Sequence, residues 1–518
     1  MDNLQFIQRL YKGKFCYSDS MTEEQIALLH ISSGVERIIQ KMVEERRLVF
    51  LTGNPGDGKT YIIRALKEQL GDIYIETDLN MLTNEQLDIV LEQINTCYTQ
   101  GNACVIATNE FPFHKLISRC RKRFPQLYSE LLTVKRNVLV YGNQTVELKR
   151  ICIVDLNERN LLDKDRCIVK QVLDRFAELL QPYCGSNLVL AENVKALTTE
   201  LVQQQVLNVF SLISMSGEHF VIRDILGALS YMLVSCTSPD GDEQGYYYDA
   251  LFKGNNDLMS FAAQFDPVLL SHPTWDEMLW NGEVLEGWQL TPPAKWPVQL
   301  TKDSDSVEDA VRLFKSIKRK FFFENIFAKE LVDLQPQYYS ECIDILVKLK
   351  QDAHRIKRRL IRSMNKVCLS ADTEGEFLRA WTLHSYDLSR TTGAAVSTRC
   401  IAADELELVC PEPVSWLKEM EYVPSCIVIR SKKHPDVKLE IDMDLLRSLI
   451  MIDHGYPASL LSSQYEQVIT HFVQALCAAN VARDYSDGCM LIANRHDGTH
   501  KRLRIEGNKY YLGKEEDY

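Results

Sequence analysis

A chain of 518 residues exceeds the roughly 100 to 200 that one domain usually holds, so two to four domains are expected. Hydrophobic residues at 46% and charged residues at 25% exclude a disordered or collagen-like chain. With 59 Lys and Arg against 71 Asp and Glu, the net charge of -12 excludes a protein coated in basic surface, so any nucleic-acid contact has to be local.

The apolar stretches, such as Ile225 to Val234, fall far short of the roughly 20 residues of a bilayer span. Met1-Asp2-Asn3-Leu4-Gln5 does not open a secretory signal. The expectation is a cytoplasmic protein with no membrane contact. The 15 cysteines occur singly, with no Cys-x-x-Cys pair, which suits reduced buried thiols better than disulfides or zinc.

In chain order, residues 1–45 read as a helical segment. Arg47-Leu48-Val49-Phe50-Leu51-Thr52 is a short apolar strand, followed by Gly53-Asn54-Pro55-Gly56-Asp57-Gly58-Lys59-Thr60 and then the helical pattern Ile62, Ile63, Ala65, Leu66. Each position of that loop has a reason. Glycines let backbone N–H groups curl around phosphates, and the helix N-terminus presents its positive dipole end. Lys59 reaches the β- and γ-phosphates, and Thr60 offers a hydroxyl to Mg²⁺.

Asp72 to Glu76 reads as a strand and Leu82 to Tyr98 as a helix. Ala103 to Ala107 is a buried strand ending in Thr108-Asn109-Glu110, and helical text runs from Phe113 to Leu132. Alternating segments around Asn137 to Leu148 precede a strand, Ile151 to Val154, that ends in Asp155-Leu156-Asn157-Glu158-Arg159. A helix from Ile168 to Leu180 carries Asp174-Arg175. Strands alternating with helices imply a parallel sheet, with ligands taken up past the strand ends. Gly217 to Leu229 reads as a further helix, and Ser238 to Gly254 as a turn-rich loop.

A domain boundary is expected near residue 305. Between Arg312 and Lys366, fourteen Lys and Arg face six Asp and Glu. Arg355, Arg358, Arg359, Arg362 and Lys366 share one helical face, which could track phosphates or dock an acidic partner, or be a solvated face. Lys315, Lys318, Arg319 and Lys320 lead into Phe321-Phe322-Phe323, which reads equally as base stacking or as core. Past Ala395, short β-like runs around helices at Leu445 to Ile452 and Tyr465 to Ala478 suggest a small α+β domain. There Asp436, Glu440 and Asp442 lack the Glu-x-Lys of a nuclease, and His434, His454, His471, His496 and His500 show no metal-ligand spacing.

Residues 46 to 235 resemble the AAA+ class of P-loop NTPases. The resemblance implies ATP and Mg²⁺ as cofactors, with Gly53, Asn54, Pro55, Gly56, Asp57, Gly58, Lys59 and Thr60 as the phosphate loop. It implies Glu110 as the residue polarising water, with Asn109 where the family carries a metal-side Asp. Thr60, Asn109 and the rival Asp155 are then the metal-side candidates. Asn157 fits the sensor of the γ-phosphate, Arg175 the arginine finger with Arg159 second, and Arg223 the second sensor on a lid helix. Hydrolysis by such a set stabilises charge on the γ-phosphoryl oxygens.

Taken together these motifs look like ATPases of bacterial anti-phage operons, and resemble the DptF-type component of phosphorothioation-dependent DNA restriction. That resemblance implies a homo- or hetero-oligomer working with operon-encoded protein subunits on DNA, directly or through partners. The alternative is a nucleotide-gated assembly switch with little turnover. The expected architecture is α/β: an AAA+-like P-loop core at 46–195, a helical lid and linker at 196–305, a basic helical segment at 306–395 and an α+β domain at 396–518.

Overall fold

The structure is a computed structural model that describes residues 2–11, 21–80, 82–142, 145–163, 168–214, 217–235, 245–283, 296–302, 307–325, 338–368, 375–383, 394–458, 461–485, 489–494 and 499–513. The fold is α/β. It divides into two compact units, the first formed by Met1–Val140, Thr145–Leu334 and Pro413–Val423, the second by Tyr141–Gln144, Gln335–Glu412 and Pro424–Tyr518. Among the described residues no helix is long and apolar enough to cross a membrane.

The first unit is organised around α1 (Gly34–Glu44), β1 (Leu48–Thr52), α2 (Lys59–Leu70), β2 (Tyr74–Glu76), β3 (Cys104–Ala107), α3 (Glu110–Arg123) and β4 (Ile151–Asp155). The strands form one parallel sheet in the order β2-β3-β1-β4. Every residue of Leu48-Val49-Phe50-Leu51-Thr52 is buried, as a central parallel strand covered on both faces requires. Helical text between Phe113 and Leu132 breaks at Phe124. Pro125 lacks an N–H to continue α3 but suits the first turn of a new helix, Pro125–Arg136.

Further elements among the unit's described residues are mainly helical. They include α4 (Ile168–Leu180) and α5 (Ile222–Val234), and the helix Asn3–Tyr11 lies on α5, with Tyr11 stacked on Tyr231 at 4.2 Å and the Ser230 hydroxyl donating to the Ile7 carbonyl. One expectation is corrected here, and one open choice is decided. Tyr247 to Lys253, read as loop, is a helix, because Tyr247, Tyr248, Leu251 and Phe252 are core residues rather than loop tips. Lys318, Arg319 and Lys320 are buried, and Phe321, Phe322 and Phe323 pack inside, so that run is core and not a base-stacking platform. Arg319 donates to Asp266 at 2.6 Å and to Asp249 at 2.7 Å, and Lys318 pairs with Asp276 at 2.7 Å, which removes the cost of burying those cations unpaired. The residues Ser238 to Gln244, also assigned to the loop, lie outside the described residues.

A further departure from expectation is the segment 413–423, which the sequence places in the C-terminal domain but which belongs to the first unit. Val414, Leu417 and Met420 join the core around β1 and α1. Glu421 accepts from the Gly34 backbone N–H at 2.9 Å and from Arg159 Nε at 2.6 Å. A Cβ on Gly34 would lie 1.6 Å from the Glu419 carbonyl oxygen, so α1 can start there only with glycine.

The second unit contains α6 (Tyr339–Cys368), with non-helical φ/ψ at Asp352, and two antiparallel sheets. Its strands are β5 (Phe377–Leu383), β6 (Ala394–Ala402), β7 (Leu406–Val409), β8 (Cys426–Ser431), β9 (Lys438–Asp442), β10 (Arg483–Asp484), β11 (Cys489–Asn494), β12 (His500–Glu506) and β13 (Lys509–Gly513). One sheet runs β9-β8-β7 and the other β10-β6-β11-β12-β13, with β5 also on β6. β5 falls within the segment read as helical. Phe377, Trp381 and Thr382 favour a pleated strand, and pairing with β6 supplies its hydrogen bonds.

Candidate functional site

β1 delivers the chain into the glycine-rich loop at the end of the sheet. Gly53, Gly56 and Gly58 hold φ of 150°, 104° and 85°, a region other residues enter only with strain. Gly58 caps α2, so the first N–H groups of that helix face the loop's concavity and offer donors to an anion. Lys59 is buried, and its Nζ donates to the carbonyls of Gly53 at 3.0 Å and Asn54 at 2.7 Å. Burial pulls the Lys59 ammonium below its usual range, against the charges of Asp57, Asp78 and Asp155.

A cleft opens over this loop. Thr60 lines it, and α5 forms its far side with Ile222, Arg223 and Leu226. A Cβ on Gly56 would come within 2.9 Å of the Arg223 guanidinium, so the glycine lets that arginine lie directly over the loop. Met21, Leu29, Ile31 and Ile168 add an apolar wall of the kind that takes a flat ring. Past β3, Thr108 and Asn109 reach the cleft. Past β2, Thr77, Asp78 and Asn80 do so as well. The Asp78 carboxylate is held in place, accepting from the Asn80 backbone N–H at 2.8 Å and the Asn80 amide at 2.5 Å.

The structure therefore gathers Gly53 to Thr60, Asn109 and Arg223 at one cleft, with Asp155 at the end of β4 close enough to Lys59 to act on its charge. Burial raises the Asp155 carboxyl, while the Asn157 backbone N–H donates to it at 3.1 Å. The Asn157 side-chain oxygen is buried with no hydrogen-bond partner among the described residues.

Three other expected residues are placed differently. Glu110 begins α3 and accepts from Lys135 Nζ at 2.5 Å, with His114 at 3.2 Å, and is not part of the cleft lining. Arg175 on α4 donates to the Leu28 carbonyl at 2.8 Å and to Glu178 at 2.7 Å. Arg159 does reach the cleft but is held by Glu421 in a buried pair. Its partner's carboxyl stays below the usual range. Burial pushes it up, and the Arg159 charge and hydrogen bond, with the Gly34 N–H, outweigh that.

In the second unit, the basic face of α6 is largely spent on internal partners. Arg359 pairs with Asp453 at 2.5 Å and Glu341 at 2.6 Å, Arg362 with Asp453 at 2.6 Å, and Arg358 with Glu376 at 2.8 Å. Lys357 is buried, donating to the Leu406 carbonyl at 2.8 Å. Of the four candidate arginines, Arg355 is the exposed one.

Sequence reasoning missed Asp78 and a pair beneath the loop, His219 with Asp57. The first had a signal, because Glu76-Thr77-Asp78 is an acidic strand end like Asn109-Glu110. Strand order makes the difference. With β3 directly beside β1, the Thr108-Asn109 end lies next to the loop and Asp78 lies one strand further out. The second had none, since Asp57 and His219 are 162 residues apart. Among the described residues no group of three or more His, Cys, Asp or Glu is placed to hold a metal ion. No family model, curated protein or solved structure matches the chain.

Proposed function

We propose that the chain binds a nucleoside triphosphate, ATP in our reading, with Mg²⁺ and hydrolyses it. The observation that carries this is the meeting, in one cleft, of the glycine-rich loop, Lys59, Thr60, Asp78 and Arg223. In this proposal the loop N–H groups and Lys59 take the charge of the β- and γ-phosphates, and Arg223 closes over them from α5. Bound Mg²⁺ supplies charge neutralisation at the phosphate oxygens. The donor set fits it, because Mg²⁺ is commonly held by one or two protein oxygens together with phosphates and water. The Thr60 hydroxyl and a carboxylate from Asp78 or Asp155 meet that need, with Asp78 taking the part that Asn109 cannot. In this reading Asn109, which lines the cleft, would orient a polar group at the γ-phosphate end, and the apolar wall of Met21, Leu29 and Ile31 would face the base.

Steady-state turnover of Mg-ATP tests the assignment. Asp78→Asn is expected to lower kcat by about a hundredfold. Unchanged turnover would contradict the role given to Asp78.

One observation favours a second reading. Glu110 is engaged by Lys135 and His114, so polarising a water requires its release. A chain that keeps Glu110 so engaged would act as a nucleotide-gated assembly switch, and Glu110→Gln would then leave its slow turnover unaltered. The setting we propose, a multi-protein anti-phage DNA restriction complex, is supported by the succession of sequence motifs alone.

A further inference from the structure

The proposed triphosphate site carries a negative charge in an unfavourable place. Asp57 belongs to the glycine-rich loop itself and is buried at 3% exposure. Its carboxylate accepts from the Asn54 backbone N–H at 2.5 Å, and a Cβ on Gly53 would meet it at 2.5 Å, so it is tucked against the start of the loop. A carboxylate here repels an incoming polyphosphate and competes for Lys59, on which Asp57 is the strongest of the opposing charges.

One side chain answers it. His219, from the segment that leads into α5, places Nε2 2.7 Å from Asp57 Oδ1. The ring also makes a hydrogen bond with the Arg159 backbone. A single imidazole thus joins the loop, the segment after β4 and the entrance to the helix that carries Arg223. Asp155 at the end of β4 and Asp224 on α5 also feel its charge, and both carboxyls favour the protonated ring. Burial alone would lower the His219 pKa. The Asp57 hydrogen bond and charge, then Asp155, turn the net shift upward.

We propose that His219 is a positioning residue of the nucleotide site: its imidazolium neutralises Asp57 and pins the loop to the start of α5, leaving Lys59 free to turn toward the phosphates. This rests on the triphosphate reading above. Without the ring, Asp57 draws Lys59 to itself and faces the phosphates uncompensated. Replacing both partners by neutral amides removes the repulsion and keeps a hydrogen bond between the two segments.

The test is equilibrium titration with fluorescent mant-ATP, mant-ADP and mant-AMP in Mg²⁺, on the full chain and on His219→Gln, Asp57→Asn/His219→Gln and Lys59→Ala. His219→Gln is expected to weaken mant-ATP by at least about tenfold, with a smaller loss for mant-ADP and the smallest for mant-AMP. The double variant is expected to recover to within about threefold of wild type. Thermal unfolding of each variant separates affinity from folding. Wild-type affinity in His219→Gln, or a double variant as weak as the single one, overturns the role of His219. So does an equal loss for all three nucleotides, which marks a purely structural part. If the wild-type chain binds mant-ATP no better than Lys59→Ala does, the nucleotide reading itself falls.

Discussion

Lys59 and Gly56 show how far single residues constrain the site. Lys59 lies in the loop's own carbonyl cage, so a phosphate must draw its ammonium from Gly53 and Asn54, and burial lowers its pKa more than the three carboxylates around it raise it. Gly56 combines a φ of 104° with a guanidinium where a side chain would stand. Gly56→Ala is therefore expected to cost about 1 to 3 kcal/mol of backbone strain and to push Arg223 off the loop. Chemical denaturation together with nucleotide affinity checks this, and a variant equal to wild type in both would contradict it. At this scale the loop was legible from sequence because its eight residues are contiguous and each has a local reason to be there. The engagement of Glu110 was not legible for the opposite reason: its partner Lys135 lies 25 residues on and only the fold brings them together.

Among the elements, the segment 413–423 stands out because it completes a core begun some four hundred residues earlier. Val414, Leu417 and Met420 read from sequence as ordinary apolar residues of a C-terminal domain, and nothing local announces that they pack with α1 and β1. The Arg159–Glu421 pair, 262 residues apart, could not be read from spacing at all. It ties this segment to the cleft, since Arg159 lines it. Both side chains are buried, at 7% and 2% exposure, so Glu421→Gln leaves an uncompensated guanidinium and is expected to cost about 3 kcal/mol at neutral pH. The sign with pH follows from the lowered carboxyl. Its contribution is complete above the unfolded value near 4.5 and is lost as pH falls through the lower folded value. Unfolding curves of the two chains should converge in acid. A constant gap down to pH 3, or no gap at pH 7, would contradict the account. The parallel sheet, by contrast, was legible, because buried apolar runs such as Leu48 to Thr52 and Cys104 to Ala107 have few other places to go.

Over the whole molecule, charge and motif give different kinds of information. The basic surplus between Arg312 and Lys366 was open in sequence to three readings: a polyanion track, a dock for an acidic partner or a solvated face. Folding pairs Lys318, Arg319, Arg358, Arg359 and Arg362 with Asp249, Asp266, Asp276, Asp453, Glu341 and Glu376, and all of these acids but Glu341 lie outside that stretch, where spacing along one helix does not reveal them. The glycine-rich loop keeps the local geometry expected of it because that geometry is made within eight residues and a helix start. In the strand order β2-β3-β1-β4, Asp155 ends the strand beside β1, and Asp78 follows a strand one place further out yet still lines the cleft. The central claim is that a triphosphate settles in that loop, and isothermal titration of the full chain with Mg²⁺ and a non-hydrolysable ATP analogue tests it most directly. The account predicts one site per chain for wild type and loss of at least about a hundredfold in affinity for Lys59→Ala. No heat of binding in the wild-type chain, or equal affinity in the variant, would contradict it.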